Sequence, residues 1–122
     1  MKEDRDQGSP IIAIVGPCAS GKTTLAEALQ ALDFNARQIA QEHSYVAEMW
    51  EQITNPDVLI YLDASYDTCT RRKNLNWSKA EYQTQIERLS DARKRCDLYI
   101  DTERSTPEEI VKIVLTYLGQ IN

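Results

Sequence analysis

The chain has 122 residues, 42% of them hydrophobic and 27% charged, with a formal net charge of -5. This is the size of one ordinary globular domain, able to bury roughly two-thirds of the surface its unfolded chain exposes. The acidic balance argues against a nucleic-acid partner, and no apolar run approaches the roughly 20 residues a membrane span needs. Residues 1–9, MKEDRDQGS, are polar and charged, so they read as a disordered tail before a single domain over 10–122. Ile11-Ile12-Ala13-Ile14-Val15 is a continuous apolar run ending at Gly16, the pattern of a strand buried on both faces of a parallel sheet. After a glycine-containing loop, Leu25, Ala28, Leu29 and Leu32 share one face of a helix over Lys22–Leu32. A weaker strand follows over Phe34–Ala40.

Val46, Met49, Trp50 and Ile53 have the i, i+3, i+4, i+7 spacing of a helix over Ser44–Thr54, stopped by Asn55-Pro56, and the stripe places Trp50 in the core. Val58–Leu62 is a third buried strand, closed by Asp63, and a short helix is expected over Tyr66–Asn74. Ser78-x-x-Glu81 is a capping box, with Trp77 before it placed to staple against Tyr82. It opens a helix expected to carry Tyr82, Ile86, Leu89 and Cys96 along one side. Leu98–Ile100 is a fourth strand, and Thr106-Pro107-Glu108-Glu109 is a second capping box with proline at the first helical position. The last helix is expected to bury Ile110, Ile113, Val114 and Tyr117 and to end at Gly119. Strands and helices alternate, which predicts an α/β fold: a mostly parallel sheet of four to five strands with helices on both faces. Ligands in such sheets bind beyond the carboxyl ends of the strands, where Gly16, Gln41-Glu42 and Asp63 should converge.

Gly16-Pro17-Cys18-Ala19-Ser20-Gly21-Lys22-Thr23 matches GxxxxGK[ST] in full, in the strand–loop–helix context the motif needs. Its glycines let successive backbone N–H groups point inward at a phosphate, and the helix that follows adds its positive dipole end. Lys22 is then the charge for the β- and γ-phosphates and Thr23 the hydroxyl for Mg2+, with Thr24 continuing the loop. A strand–turn–helix whose glycines only make the turn does not require Lys22 and Thr23. Cys18, inside the loop, is either a redox-sensitive thiol or a spacer.

With this loop the chain resembles the small P-loop kinases of nucleosides, nucleotides and metabolites, such as the adenylate, shikimate, cytidylate and dephospho-coenzyme A kinases. Pro56–Asp63 followed by Arg71-Arg72 is similar to the strand that leads into their lid, so 66–96 is lid-like. Cys96–Thr102 followed by Thr106–Glu109 is similar to their last strand and final helix. The resemblance implies a three-layer P-loop NTPase fold, ATP as phosphoryl donor and Mg2+ as cofactor. It also implies a lid arginine near the adenine or the phosphates, for which Arg72 fits best by spacing and Arg71 next; a solvated helix face is the alternative for both. Arginines on the helix returning from the lid, here Arg88 and Arg93, touch the transferred group in some members; a surface ion pair with Glu87 or Asp91 is the alternative.

One departure stands out: a single helix separates the second strand from Val58, leaving no room for a separate acceptor-binding insertion. The acceptor is therefore a small molecule, or is completed at a homodimer interface, or is absent. Asp63, after the five apolar or aromatic residues Val58–Leu62, is placed as the magnesium acid or as a strand-end carboxylate. Glu42, at the end of the second strand, is placed as the catalytic base or as part of a helix-entry loop capped by Ser44. His43 beside it is an acceptor-anion contact or a structural histidine. Three unpaired cysteines and the lack of an apolar leader point to a reduced, cytoplasmic protein. The expected activity is an ATP-dependent phosphotransferase; the alternative is a nucleotide-binding regulatory or partner-binding module with little or no kinase activity.

Overall fold

A computed structural model describes residues 10–121, so the expected tail over 1–9 lies outside the described residues. Four strands, β1 (Ile11–Val15), β2 (Asn35–Gln38), β3 (Val58–Asp63) and β4 (Leu98–Asp101), form one sheet in the order β2-β1-β3-β4. Every pairing is parallel: Ile12 stands opposite Ala36 on one side and Val58 on the other, and Ile60 opposite Leu98. Parallel neighbours need crossovers, and helices supply them. They are α1 (Lys22–Ala31), α2 (Met49–Thr54), α3 (Tyr66–Lys73), α4 (Lys79–Arg88), α5 (Ser90–Arg95) and α6 (Pro107–Ile121).

Side chains alternate across each strand, and here both faces are covered. Ile12, Ile14, Val58, Ile60 and Leu62 meet Leu25 and Leu29 of α1 and Ile110, Val114 and Leu118 of α6. Ala13, Val15, Leu59 and Tyr61 meet Trp50 of α2, Leu89 at the junction of α4 and α5, and Ala92 of α5. That is the α/β layering expected of a P-loop NTPase. The chain runs from β1 outward to β2, then crosses back to β3 on the other flank of β1. The crevice beyond the end of β1 is therefore the switch point where open α/β sheets bind ligands.

Three helical expectations need correction. The helix expected over Ser44–Thr54 is confined to α2, after a 3-10 turn at Gln41–His43. The cause is Gln41, fully buried. Its amide donates to Val46 O at 2.9 Å and accepts from Trp50 N at 2.9 Å, the two groups that a continuous helix would join to each other. Ser44 Oγ accepts from Val46 N at 3.0 Å within a turn and caps no α-helix, while Val46 and Ile53 stay exposed. The same Gln41 amide donates to Arg88 O at 3.2 Å, where the helix expected from Ser78 to Cys96 divides into α4 and α5. Finally, α6 runs through Gly119 to Ile121, and Ile113 is exposed while Leu118 takes its place in the core.

Both capping boxes are present: Glu81 N donates to Ser78 Oγ at 3.1 Å and Glu109 N to Thr106 Oγ1 at 3.2 Å, each glutamate returning to the cap amide at 2.8 Å. Trp77 packs edge-on against Tyr82 at 5.8 Å between ring centroids, as the staple requires.

Candidate functional site

The loop between β1 and α1 is shaped by two glycines. A Cβ on Gly16 would collide with the Leu62 carbonyl oxygen of β3 and lie 2.6 Å from Ser20 Oγ. Gly21, at φ 104°, takes the left-handed conformation that starts α1. Ser20 N donates to Pro17 O at 3.1 Å and closes the turn between them. The loop thus curls over the end of β1 with the amino end of α1 facing into it.

Lys22 opens α1 and bends back under this loop. Its Nζ donates to Gly16 O at 2.8 Å and to Pro17 O at 3.0 Å, and pairs with Glu42 Oε2 at 2.9 Å. Lysine and glutamate are 7% and 4% exposed. A buried carboxylate needs such a partner, because desolvating a lone charge costs several kcal/mol. The other oxygen, Glu42 Oε1, is buried with no hydrogen-bond partner among the described residues. The 3-10 turn after β2 brings Glu42 here, held from behind by Arg88, whose Nη1 donates to Glu42 O at 3.3 Å. His43 Nε2 lies 3.7 Å from Glu42 Oε2.

Thr23 Oγ1 accepts from Gln38 Nε2 at 2.7 Å. Gln38 ends β2, the strand beside β1, and was not singled out in the sequence because a glutamine at a strand end carries no motif. Thr23, Gln38, Lys22 and Glu42 line one cavity of 420 Å³ together with Cys18 and Arg72. Asp63 does not line it. Asp63 ends β3 on the far flank of β1, and alternation turns its side chain to the Tyr61 face, where it accepts a hydrogen bond from Tyr99 OH. Burial, and then this carboxylate, push the Tyr99 hydroxyl up to about 12.

Arg72 and Arg71 separate clearly. Arg72 Nη1 donates to Ala19 O at 3.2 Å and Thr102 Oγ1 at 3.0 Å, and its Nη2 to Thr102 O at 2.8 Å. Its guanidinium therefore ties α3 to the loop and to the end of β4. Arg71 Nη2 donates to Thr68 Oγ1 at 3.3 Å within α3, and Arg71 lines neither cavity described here. A second cavity, of 340 Å³, adjoins the loop and shares Arg72; Gly21, Thr24 and Leu25 form one wall and Pro107 and Ile110 of α6 the other. That α6 wall was missed from sequence, since it depends on how the last helix lies against the first.

Arg88 stacks over the Tyr45 ring at 4.6 Å, where both line a hollow of 350 Å³ with Ser44, Ala47, Thr84 and Glu87. Arg93 lies 5.2 Å over the Tyr99 ring, with Asp63 rather than with the loop. No helix among the described residues is long and apolar enough to cross a membrane.

These features are a phosphate-binding loop on a parallel sheet, with a basic residue and a buried acid at its mouth. A comparison with curated proteins gave no match. A family model described as an AAA domain matches residues 12–87, from β1 through the loop and the lid-like region into α4. The chain belongs to this AAA domain family, in the kinase-like group of P-loop nucleotide-binding proteins.

Proposed function

We propose that the chain is a magnesium-dependent phosphotransferase that takes ATP as donor and a small metabolite or nucleotide as acceptor. The observation that carries this reading is the buried Glu42 carboxylate beside Lys22 in the cavity that Thr23 lines. Phosphoryl transfer needs positioning, charge neutralisation and a group for the acceptor's proton, and little else from a protein. The backbone N–H groups of Ala19, Gly21, Lys22, Thr23 and Thr24 receive the β- and γ-phosphates. The triphosphate draws Lys22 away from the Gly16 and Pro17 carbonyls. The adenine lies between Leu25 and the Pro107–Ile110 wall, with Arg72 spanning base and phosphate cavities. Among the described residues, the lining of that cavity holds no carboxylate.

Oxygen donors suit Mg2+, which keeps most of its waters and takes only one or two protein oxygens. The Thr23 hydroxyl and the Glu42 carboxylate, with one oxygen unpartnered among the described residues, are such donors in the same cavity. The ion would be held at Thr23, with Gln38 and Glu42 in reach, and would neutralise phosphate charge. Asp63, expected as the magnesium acid or as a strand-end carboxylate, lies beside Tyr99 and outside that cavity, which supports giving the metal role to Glu42. Glu42, once released by Lys22, accepts the acceptor's proton. The acceptor enters through the hollow at Tyr45 and Arg88.

The test is Glu42→Gln. Turnover should fall by about 100-fold or more, the scale of a general base, and by more than any change in ATP affinity. Equal turnover removes Glu42 from the chemistry.

A second reading has its own support. Between β2 and β3 there is only a 3-10 turn and the six-residue α2, so no acceptor domain is present in that connection. A nucleotide-binding regulatory module fits this as well. It predicts ATP binding with no transfer to any acceptor. A homodimer that completes the acceptor pocket is separated from both readings by sedimentation with and without ATP.

A further inference from the structure

Beside the phosphate loop, three side chains of different chemistry face one another. Cys18 Sγ lies 3.6 Å from His43 Nε2, and His43 Nε2 lies 3.7 Å from Glu42 Oε2. One ligand atom from each of the three lies within 4.8 Å of the other two. An ion with tetrahedral bonds of about 2.0–2.3 Å holds its ligand atoms roughly 3.3–3.7 Å apart. Two of these separations already have that value. Glu42 is buried; its oxygen facing His43, Oε2, is the one paired with Lys22, and its other oxygen, Oε1, has no hydrogen-bond partner among the described residues. His43 is 58% exposed in its side chain, which gives an ion a way in from solvent.

Cys18 is held in place from both ends. Its backbone N–H donates to Gln85 Oε1 at 3.0 Å, and Gln85 Nε2 donates to Cys18 Sγ at 3.1 Å. An amide N–H aimed at sulfur fixes the direction of the side chain, the service that outer partners give to metal ligands. Gln85 is itself buried.

We propose that Cys18, Glu42 and His43 form a binding site for a thiolate-seeking divalent ion of the zinc class, distinct from the magnesium position at Thr23 in its sulfur and nitrogen ligands but sharing Glu42 with it. A thiolate, an imidazole and one carboxylate select Zn2+ and its relatives, whereas Mg2+ takes oxygen alone. Three protein ligands leave a fourth position for water. On binding, the Cys18 thiol gives its proton to solvent and Glu42 exchanges part of its pairing with Lys22 for the ion. The site also links the loop to the turn after β2, so ion binding would tie the second residue of the phosphate motif's spacer to Glu42 and His43.

Cobalt is the probe, because its thiolate bond absorbs in the near ultraviolet. The full chain, reduced and free of nucleotide, is titrated with Co2+ under argon. One equivalent should produce the thiolate charge-transfer band, and one equivalent of Zn2+ should remove it while excess Mg2+ does not. Cys18→Ser should abolish the band, His43→Ala should weaken Co2+ binding at least 10-fold, and Cys96→Ser should leave both unchanged. Thermal melts of each variant establish that it is folded. Absence of the band at excess Co2+, its survival in Cys18→Ser, or its displacement by Mg2+ would each overturn the proposal. None of these readouts depends on ATP turnover, so the site stands or falls apart from the phosphotransferase reading.

Discussion

Lys22 is the residue on which the loop turns. Without a ligand it satisfies Gly16 O, Pro17 O and Glu42 at once. Each charge-assisted hydrogen bond to a phosphate contributes about 1.5–3 kcal/mol. Lys22→Ala should therefore weaken ATP binding by roughly 10- to 100-fold in a calorimetric titration. It should also leave Glu42 as a buried carboxylate without its cation. Lys22→Ala combined with Glu42→Gln should then recover stability that the single variant loses, read in urea unfolding; no recovery would mean that the pair is not coupled. Gly16→Ala should abolish ATP binding by a different route. The obstruction is the backbone oxygen of Leu62, which cannot swing aside as a side chain would. At this scale the loop was legible because each of its residues answers a chemical need of a phosphate. The Gln38–Thr23 contact was not legible, since it exists only because β2 lies beside β1.

The elements obey local rules wherever their ends are local. The capping boxes at Ser78 and Thr106 appeared in sequence as they appear in the fold, because each involves residues three positions apart. Ser78→Ala should lower stability by about 1 kcal/mol, measured by urea unfolding, with nucleotide binding unchanged. The apolar spacing over Val46–Ile53 misled because Gln41, a distant competitor, takes the hydrogen bonds of the helix it would have begun. That side chain joins α2, the carbonyl end of α4 and the turn carrying Glu42. Gln41→Leu has a shape close to the original but strands the Arg88 carbonyl. It should cost about 1–3 kcal/mol for each polar group left unsatisfied. An unchanged unfolding midpoint would show that Val46 and Trp50 pair directly once the amide is gone.

Across the whole molecule, alternation along β1 and β3 divides the core into two faces, and this division was readable from the continuous apolar runs. Ile14 is fully buried in the face shared with α1 and α6. Ile14→Ala should cost about 2–5 kcal/mol, a large part of a small domain's stability. Burial also raises several acids that are neutral when protonated: Cys69 to about 11, Tyr82 to about 12, and Tyr61 higher still. The folded chain keeps those protons after the unfolded chain has lost them. Their contribution is therefore complete below about pH 9 and is lost as pH rises towards about 12. Urea midpoints should be level from about pH 7 to 9 and fall above that, whereas a midpoint that rises with pH would contradict the sign.

The central claim is a working phosphate site at the loop between β1 and α1. Calorimetric titration of the full chain with ATP, with and without Mg2+, tests it most directly. Saturable binding to one site that strengthens with Mg2+ and weakens in Lys22→Ala is predicted. Absence of binding, or binding indifferent to both Mg2+ and Lys22, would contradict it.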